Sequence, residues 1–548
     1  MALAKKILFL ILVIFVSITF SQRTSVSTIL TSIPESRSYD ANNIVLSKVT
    51  GHGDFNSATW SLLNYGTLPA KRILFDAGFW MTGIYNGEVH SSIKFYSDNY
   101  SPGPIINGQP AMIAQPEDSL RYRVYKIFKG NDPQNPDLLE WPEDYGAPVD
   151  DNGNPFIFGD QLLWSAYNLL DTNYVDSNFA NPKKTGILPI EVHQKIYGRE
   201  GNKRDSEDLM HNVVFWEWTL INKGNSSVDS AFIGLWCDID FYDIRSNLPA
   251  VDRIRQTGYL WSGKDFEPSL GGVPPAVGLT VLYGPKKPHP DSTAVFKGEQ
   301  VQGFYNLPIH SFKAIGDDKK EDPLYGPPRT VNQVYNSSNG LSNSGGIIFD
   351  PTTSRATKFP FSGDPVQETG WLFPPTESGN GSGFILFLGP FDIAPNDTQW
   401  VMAALVPGLG GDKKGSIIMM REKIDILRNQ PYDSLAFGSS PLVTSVTELE
   451  EELPKSIMLY QNYPNPFNPS TKIKFAIPPG LSVNHNELKV TLTVYDMLGR
   501  ELVTLINEPL GAGVYEIEFD GTDLPSGVYF YRFIMGNYIQ SNKMMLLK

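Results

Sequence analysis

The sequence predicts a mainly β protein: a multidomain β-sandwich body with one peripheral helix, followed by a small C-terminal sandwich of immunoglobulin-like type. Three observations lead there. The 548 residues include 48 Gly and 42 Pro with 12% aromatics, a composition of short strands and tight turns rather than long helices. Apolar residues alternate with period two in segment after segment, and one stretch of the body repeats at helical spacing. Residues 459–548 hold about six alternating segments, the density of a small sandwich. A chain of this length exceeds one ordinary core. Hydrophobic residues at 41% exclude general disorder. The net charge of −14 excludes nucleic acid as a partner, since no basic cluster lies outside the first residues.

Lys5 and Lys6 precede the apolar run Ile7 to Ile18, and the small residues Thr19 and Ser21 stand where a signal peptidase reads −3 and −1. Residues 1–21 therefore read as a secretory signal peptide, with the general secretory machinery and signal peptidase as partners and a mature start near Gln22. The run falls short of the roughly 20 residues that span a membrane comfortably. Residues 22–428 form the β-rich body, of one domain or of two divided near 190–210. In it Asn86-Gly87 signals a hairpin, because both central residues of a type I′ turn need positive φ. NVVFWEWTLIN and AFIGLWCDID read as adjacent, antiparallel strands, with Val214, Trp216, Trp218 and Leu220 on one face of the first and Ile233, Leu235, Cys237 and Ile239 on one face of the second. Residues 252–367 read as loops with occasional strands. SGFILFLGPFDIAPNDTQWVMAALVPG reads as two strands joined at a Pro-Asn-Asp turn. Ile417, Met420, Ile424 and Leu427 then recur at helical spacing, with Ser416 or Asp412 as N-cap. Residues 429–458 read as an acidic linker containing Ser and Pro, with Glu448, Glu450, Glu451 and Glu452 repelling one another.

Chemistry-bearing residues are sparse. Asp238 and Asp240 share a strand face about 7 Å apart, and a turn could add Asp243. Clustered carboxylates need a cation, for which calcium is the candidate cofactor, or arginines such as Arg245, Arg253 and Arg255, or open solvent. The loop with Asp150, Asp151, Asn152 and Asp160 lacks EF-hand spacing and reads as turn chemistry. VPGLGGDKKGS fails as a phosphate loop because Ser416 stands where lysine is required. Glu191 and His193 share a strand face and could bind a metal or simply be a solvated polar face. Trp60, Trp80, Trp164 and Trp261 could stack on sugars or fill the core. Cys237, the single cysteine, has no intramolecular disulfide partner and reads as core.

The C-terminal segments YPNPFNPST (Tyr463, Pro464, Asn465, Pro466, Phe467, Asn468, Pro469 and onward), VYDMLGRELVTL with Gly499 and Arg500, GVYEIEFDG, and LPSGVYFYRF with Gly527 occur in that order. Together they resemble the type A C-terminal sorting domain of proteins exported by the bacterial type IX secretion system, over residues 459–548. LFDAGFWMTGIYNGE, GDQLLW, NVVFWEWTLINKGNSSVDSAFIGLWCDIDF and LGPFDIAPNDTQ in the body are similar to large secreted sorting-domain proteins of the Bacteroidota and Ignavibacteria. The resemblance implies passage through the periplasm and recognition by the type IX outer-membrane translocon. It also implies removal of the domain by a sortase-like peptidase, with the product attached to surface lipopolysaccharide or released. The expected function is that of a secreted or cell-surface protein whose body is a noncatalytic structural, adhesive or binding module, with surface lipopolysaccharide or glycans as candidate partners. The alternative is a secreted hydrolase acting on polysaccharide or protein.

Overall fold

The computed structural model describes residues 36–547 apart from 62–71, 95–99, 132, 171–186, 202–207, 241–245, 268–270, 317–321, 375–381, 438–456, 461, 463, 464, 466, 478–487, 498–499, 511–512, 523 and 537. The expected signal peptide therefore lies outside the described residues. The chain divides into two compact units, Met1–Leu442 and Val443–Lys548.

The body opens with β1 (Ser36–Tyr39), β2 (Ile44–Thr50), β3 (Asp54–Trp60), β4 (Arg72–Tyr85) and β5 (Glu88–Ser92). The short pieces β6 (Ser101–Pro102), β7 (Ile105–Ile106), β8 (Gln109–Pro110) and β9 (Tyr125–Phe128) lead to β10 (Gln161–Asn168), β11 (Ile190–Gly198), β12 (Val214–Asn222) and β13 (Val228–Asp238). Then come β14 (Asn247–Asp252), β15 (Thr257–Ser262), β16 (Ala276–Tyr283), the ribbon β17 (Lys286–Phe296) and β18 (Glu299–Asn306), and β19 (Ile309–Gly316). Helix α1 (Val331–Ser338), β20 (Ser382–Ile393), β21 (Thr398–Gly408), helix α2 (Lys413–Arg428) and the short α3 (Tyr432–Ala436) complete it.

Among the described residues one antiparallel sheet runs β1-β2-β3-β4-β13-β20-β19, and a second runs β14-β15-β16-β21-β12-β11-β10-β6. The sheets face each other across one core: the rings of Phe79 on β4 and Trp218 on β12 are 6.1 Å apart. Asn86 and Gly87 take φ of 52° and 82°, so the β4–β5 hairpin turns as the sequence predicts. Helix α2 lies across β16 and β21 and buries Ile417, Met420, Ile424 and Leu427. Asp412 caps it, its Oδ1 accepting from the Gly415 N–H at 2.7 Å, while Ser416 donates to the Pro274 carbonyl.

Several expectations change. NVVFWEWTLIN and AFIGLWCDID become β12 and β13, but they do not pair with each other: β12 lies between β11 and β21 in one sheet, and β13 lies between β4 and β20 in the other. The same holds for β20 and β21, which the Pro-Asn-Asp turn joins across the sandwich. Alternation alone cannot tell a hairpin from such a corner, since both present an apolar face along each strand. Asn222 ties the two corners together. Its Nδ2 donates to the carbonyls of Ser226 and Ile393 at 2.9 and 2.8 Å, and its backbone carbonyl accepts from the Asn396 N–H at 2.8 Å.

No division falls near 190–210, because β10, β11 and β12 are consecutive neighbours in one sheet. Residues 252–367 are more regular than expected, with β15, β16 and β17 to β19 and a second helix, α1. This helix starts with Thr330 Oγ1 accepting from the Gln333 N–H and Gln333 Oε1 accepting from the Arg329 N–H, a capping arrangement written as Thr-x-x-Gln in the sequence. It packs over a separate cluster on the outer side of the first sheet, with Trp80, Phe232, Trp236 and Val334. The body also continues past residue 428: Tyr432, Leu435 and Ala436 of α3 are buried in its core, which a linker beginning at 429 does not allow.

The outer face of the second sheet carries a buried ion pair. Glu217 is fully buried; its Oε1 accepts from the hydroxyls of Tyr197 and Tyr432 at 2.6 and 3.1 Å, its Oε2 accepts from Trp400 Nε1 at 3.0 Å and lies 2.6 Å from Lys195 Nζ. Four donors from β11, β21 and α3 thus meet on one carboxylate of β12.

The C-terminal unit contains β22 (Met458–Leu459), β23 (Ser470–Ile477), β24 (Leu488–Tyr495), β25 (Glu501–Leu510), β26 (Gly513–Asp520), β27 (Gly527–Met535) and β28 (Tyr538–Leu546). These form a sheet β22-β23-β26 and a sheet β25-β24-β27-β28, an immunoglobulin-like sandwich. Phe475 of the first sheet and Phe533 of the second meet with ring centroids 4.9 Å apart.

Candidate functional site

In the C-terminal unit the segment before β23 is a strap that fixes the end of the chain. Phe467 is buried beside Phe519; its N–H donates to the Met545 carbonyl at 2.9 Å, and its carbonyl accepts from the Leu547 N–H at 3.0 Å. Asn465 Oδ1 accepts from the Met545 N–H at 2.9 Å. Pro469, with no N–H of its own, offers its carbonyl to the Gly521 N–H at 2.9 Å. Asn468 is exposed. One step upstream, the buried Asn462 N–H donates to the Tyr531 hydroxyl, which donates in turn to the Tyr460 carbonyl. Tyr463, Pro464 and Pro466 lie outside the described residues.

In the body, Glu191 and His193 of β11 line a cavity of about 550 Å³. Glu191 is buried, and its Oε2 accepts from the Ile105 N–H at 2.8 Å. Its Oε1 accepts from His193 Nε2 at 2.8 Å and lies 3.7 Å from Lys223 Nζ. An ionised carboxylate only accepts, so Nε2 carries the proton of this bond. Burial raises the Glu191 pKa, but the bond to His193, the Ile105 N–H and the Lys223 charge outweigh it, and the group ends below its ordinary value. Trp164 backs the imidazole edge-on at 5.6 Å. Gly146, at φ 103°, covers it so closely that a Cβ there would overlap the ring. Across the cavity Arg121 Nη2 donates to both oxygens of Asp144 at 2.7 and 2.8 Å, with its guanidinium 5.7 Å from the Tyr145 ring centroid.

The depressed Glu191 pKa carries a pH dependence. Such a carboxylate stabilises the fold above its unfolded value, and that contribution is lost as pH falls through the folded one. Urea unfolding between neutral and acid pH is expected to show wild type more stable than Glu191→Gln at neutrality. The difference should shrink as pH drops below the ordinary glutamate range; a difference that grows toward acid would contradict the assignment.

Asp238 and Asp240, two of the aspartates considered for a cation, fall among the described residues. Asp238 sits opposite Asp76 in the β4–β13 ladder, and the buried Asp240 accepts from Arg72 Nη2 at 2.7 Å. Burial raises the Asp240 pKa, and Arg72 only partly offsets this. Asp243 lies outside the described residues. Arg255 is engaged with Asp252 and Asp425, and Arg253 lies over Phe359. Among the described residues no group of three His, Cys, Asp or Glu is placed to hold a metal. Asp150 accepts from the N–H groups of Asn152 and Asn154, the turn chemistry its loop suggests. Trp60, Trp80, Trp164 and Trp261 are buried core, as is Cys237. A second cavity of about 570 Å³ is lined by Asp252, Arg255, Asp364 and Arg421, which pair with one another.

Residues 461–547 match the family model described as the secretion system C-terminal sorting domain. The C-terminal unit is a type IX sorting domain. Within the sorting domain, the Asp496 side chain accepts from the Arg500 backbone N–H at 3.0 Å and from its Nε at 2.6 Å, closing the turn between β24 and β25. Gly527 opens β27, and Gly499 lies outside the described residues. The sorting domain ties the chain to the type IX secretion machinery and to export to the cell surface or extracellular space. No curated protein matches the chain. One solved structure it is similar to is PorZ, an essential bacterial surface component of the type IX secretion system of Porphyromonas gingivalis. The identity is 10% and the TM-score 0.14, over 93% of this chain and 59% of that one, a likeness too low to carry an argument about fold or activity. The chain thus spans less than two thirds of that protein's length.

Proposed function

We propose that residues 1–21 direct the chain through the general secretory machinery to the periplasm, where signal peptidase releases it near Gln22. The sorting domain then engages the outer-membrane translocon, and a sortase-like peptidase removes it after passage. The mature product is the body, attached to surface lipopolysaccharide or released, and it acts as a noncatalytic structural, adhesive or binding module. The observation that supports the export route is the sorting domain matched over residues 461–547, a compact unit with its own core. A secreted hydrolase is the second reading, favoured by the Glu191–His193 pair in a cavity that Glu143 and Asp144 also line. To test the route, the chain ending at Leu442, the last residue of the body's compact unit, is expressed in cells with an intact type IX system. It should accumulate in the periplasm, whereas the full chain reaches the surface or the medium. Surface delivery of both would refute the role given to the sorting domain.

A further inference from the structure

We propose that the cavity over His193 is a binding site for a neutral sugar residue, an inference that deepens the reading of the body as a binding module. Its volume, about 550 Å³, suits a small ligand rather than a flat protein contact. Four of its charges form two pairs, Arg121 with Asp144 and Lys223 with Glu191, and the exposed Glu143 adds a negative charge that repels an anion. An anionic ligand would also have to compete with one of these pairs, whereas hydroxyl groups can join them without breaking any. The groups left over fit hydroxyls. Arg121 engages Asp144 through Nη2 alone, leaving its other guanidinium N–H donors for a ligand. The side chains of Arg121 and Asp144 are 44% and 58% exposed, so a ligand reaches them without rearrangement. The half-buried Tyr145, braced edge-on by the buried Tyr122 at 6.0 Å, supplies an aromatic surface against which the C–H face of a pyranose packs.

The test uses the purified full chain titrated calorimetrically with glucose, galactose, mannose, N-acetylglucosamine and rhamnose, and with glucuronate as the charged counterpart. At least one neutral sugar is expected to bind at a single site in the millimolar range. Arg121→Ala should weaken it about tenfold or more, the value of a charge-assisted hydrogen bond, with an unchanged melting temperature. Should Arg121→Ala melt lower, Asp144→Asn gives the deciding measurement with the same expected loss. The site is refuted if no neutral sugar binds, if glucuronate binds more tightly than all of them, or if Asp144→Asn binds as wild type does. Cleavage of a bound p-nitrophenyl glycoside would leave the sugar site standing and overturn the noncatalytic reading. Absence of sugar binding would remove the site and leave the account of export untouched.

Discussion

Glu217→Gln is expected to destabilise the body by about 3–5 kcal/mol, the usual cost of leaving one member of a buried ion pair without its partner. The substitution keeps the shape of the side chain but removes the charge that Lys195 Nζ meets at 2.6 Å. It also turns one end of the group into a donor facing donors, because Tyr197, Tyr432 and Trp400 all point hydrogens at this position. Two strands and a helix lean on that carboxylate besides its own strand, so the loss should propagate to α3 at the end of the body. A urea titration followed by tryptophan fluorescence reads it directly. The double variant Glu217→Leu with Lys195→Met should recover part of the loss, since an apolar pair of similar volume often replaces a buried ion pair at little cost. A midpoint that hardly moves in Glu217→Gln would mean the pair is not held as described.

In the sorting domain the comparable position is Phe467. Phe467→Ala is expected to cost about 3–5 kcal/mol, the range for emptying a buried aromatic site, in a domain with little stability to spare. The ring is 2% exposed and packs on Phe519, and the flanking backbone bonds to Met545 and Leu547 depend on its seating. Limited proteolysis of the full chain checks the outcome: the sorting domain should become susceptible while the body stays resistant. Unaltered resistance of both units would show that the strap does not hold the end of the chain.

Much of the architecture is legible in the sequence because it depends on local rules. The α2 stripe, the Asn86-Gly87 hairpin and the alternating strands of the sorting domain all follow from periodicity and turn chemistry. What depends on long-range placement is not legible. That β12 and β13 lie in opposite sheets is decided by Asn222 and by pairing with β21 and β20, distant in sequence. Helix α1 is polar and short, and its one signal, Thr330 with Gln333, is easily passed over among Pro and Gly. The candidate sites show the same division. The strap at Asn465 and Phe467 belongs to a local motif and is marked in the sequence. Glu191 and His193 are visible as one strand face, but Arg121, Asp144 and Tyr145, which complete the cavity, come from a turn-rich segment with no periodic pattern. Arg72, the partner of Asp240, is equally remote, so nearness along the chain does not point to it.

The most direct test of the account is to purify the mature protein from native cells, record the fraction in which it is found, and sequence both of its ends by mass spectrometry. The account predicts a product on the cell surface or in the medium that begins near Gln22 and ends before the sorting domain. A cytoplasmic or periplasmic product that retains Lys548 at its C-terminus would contradict it.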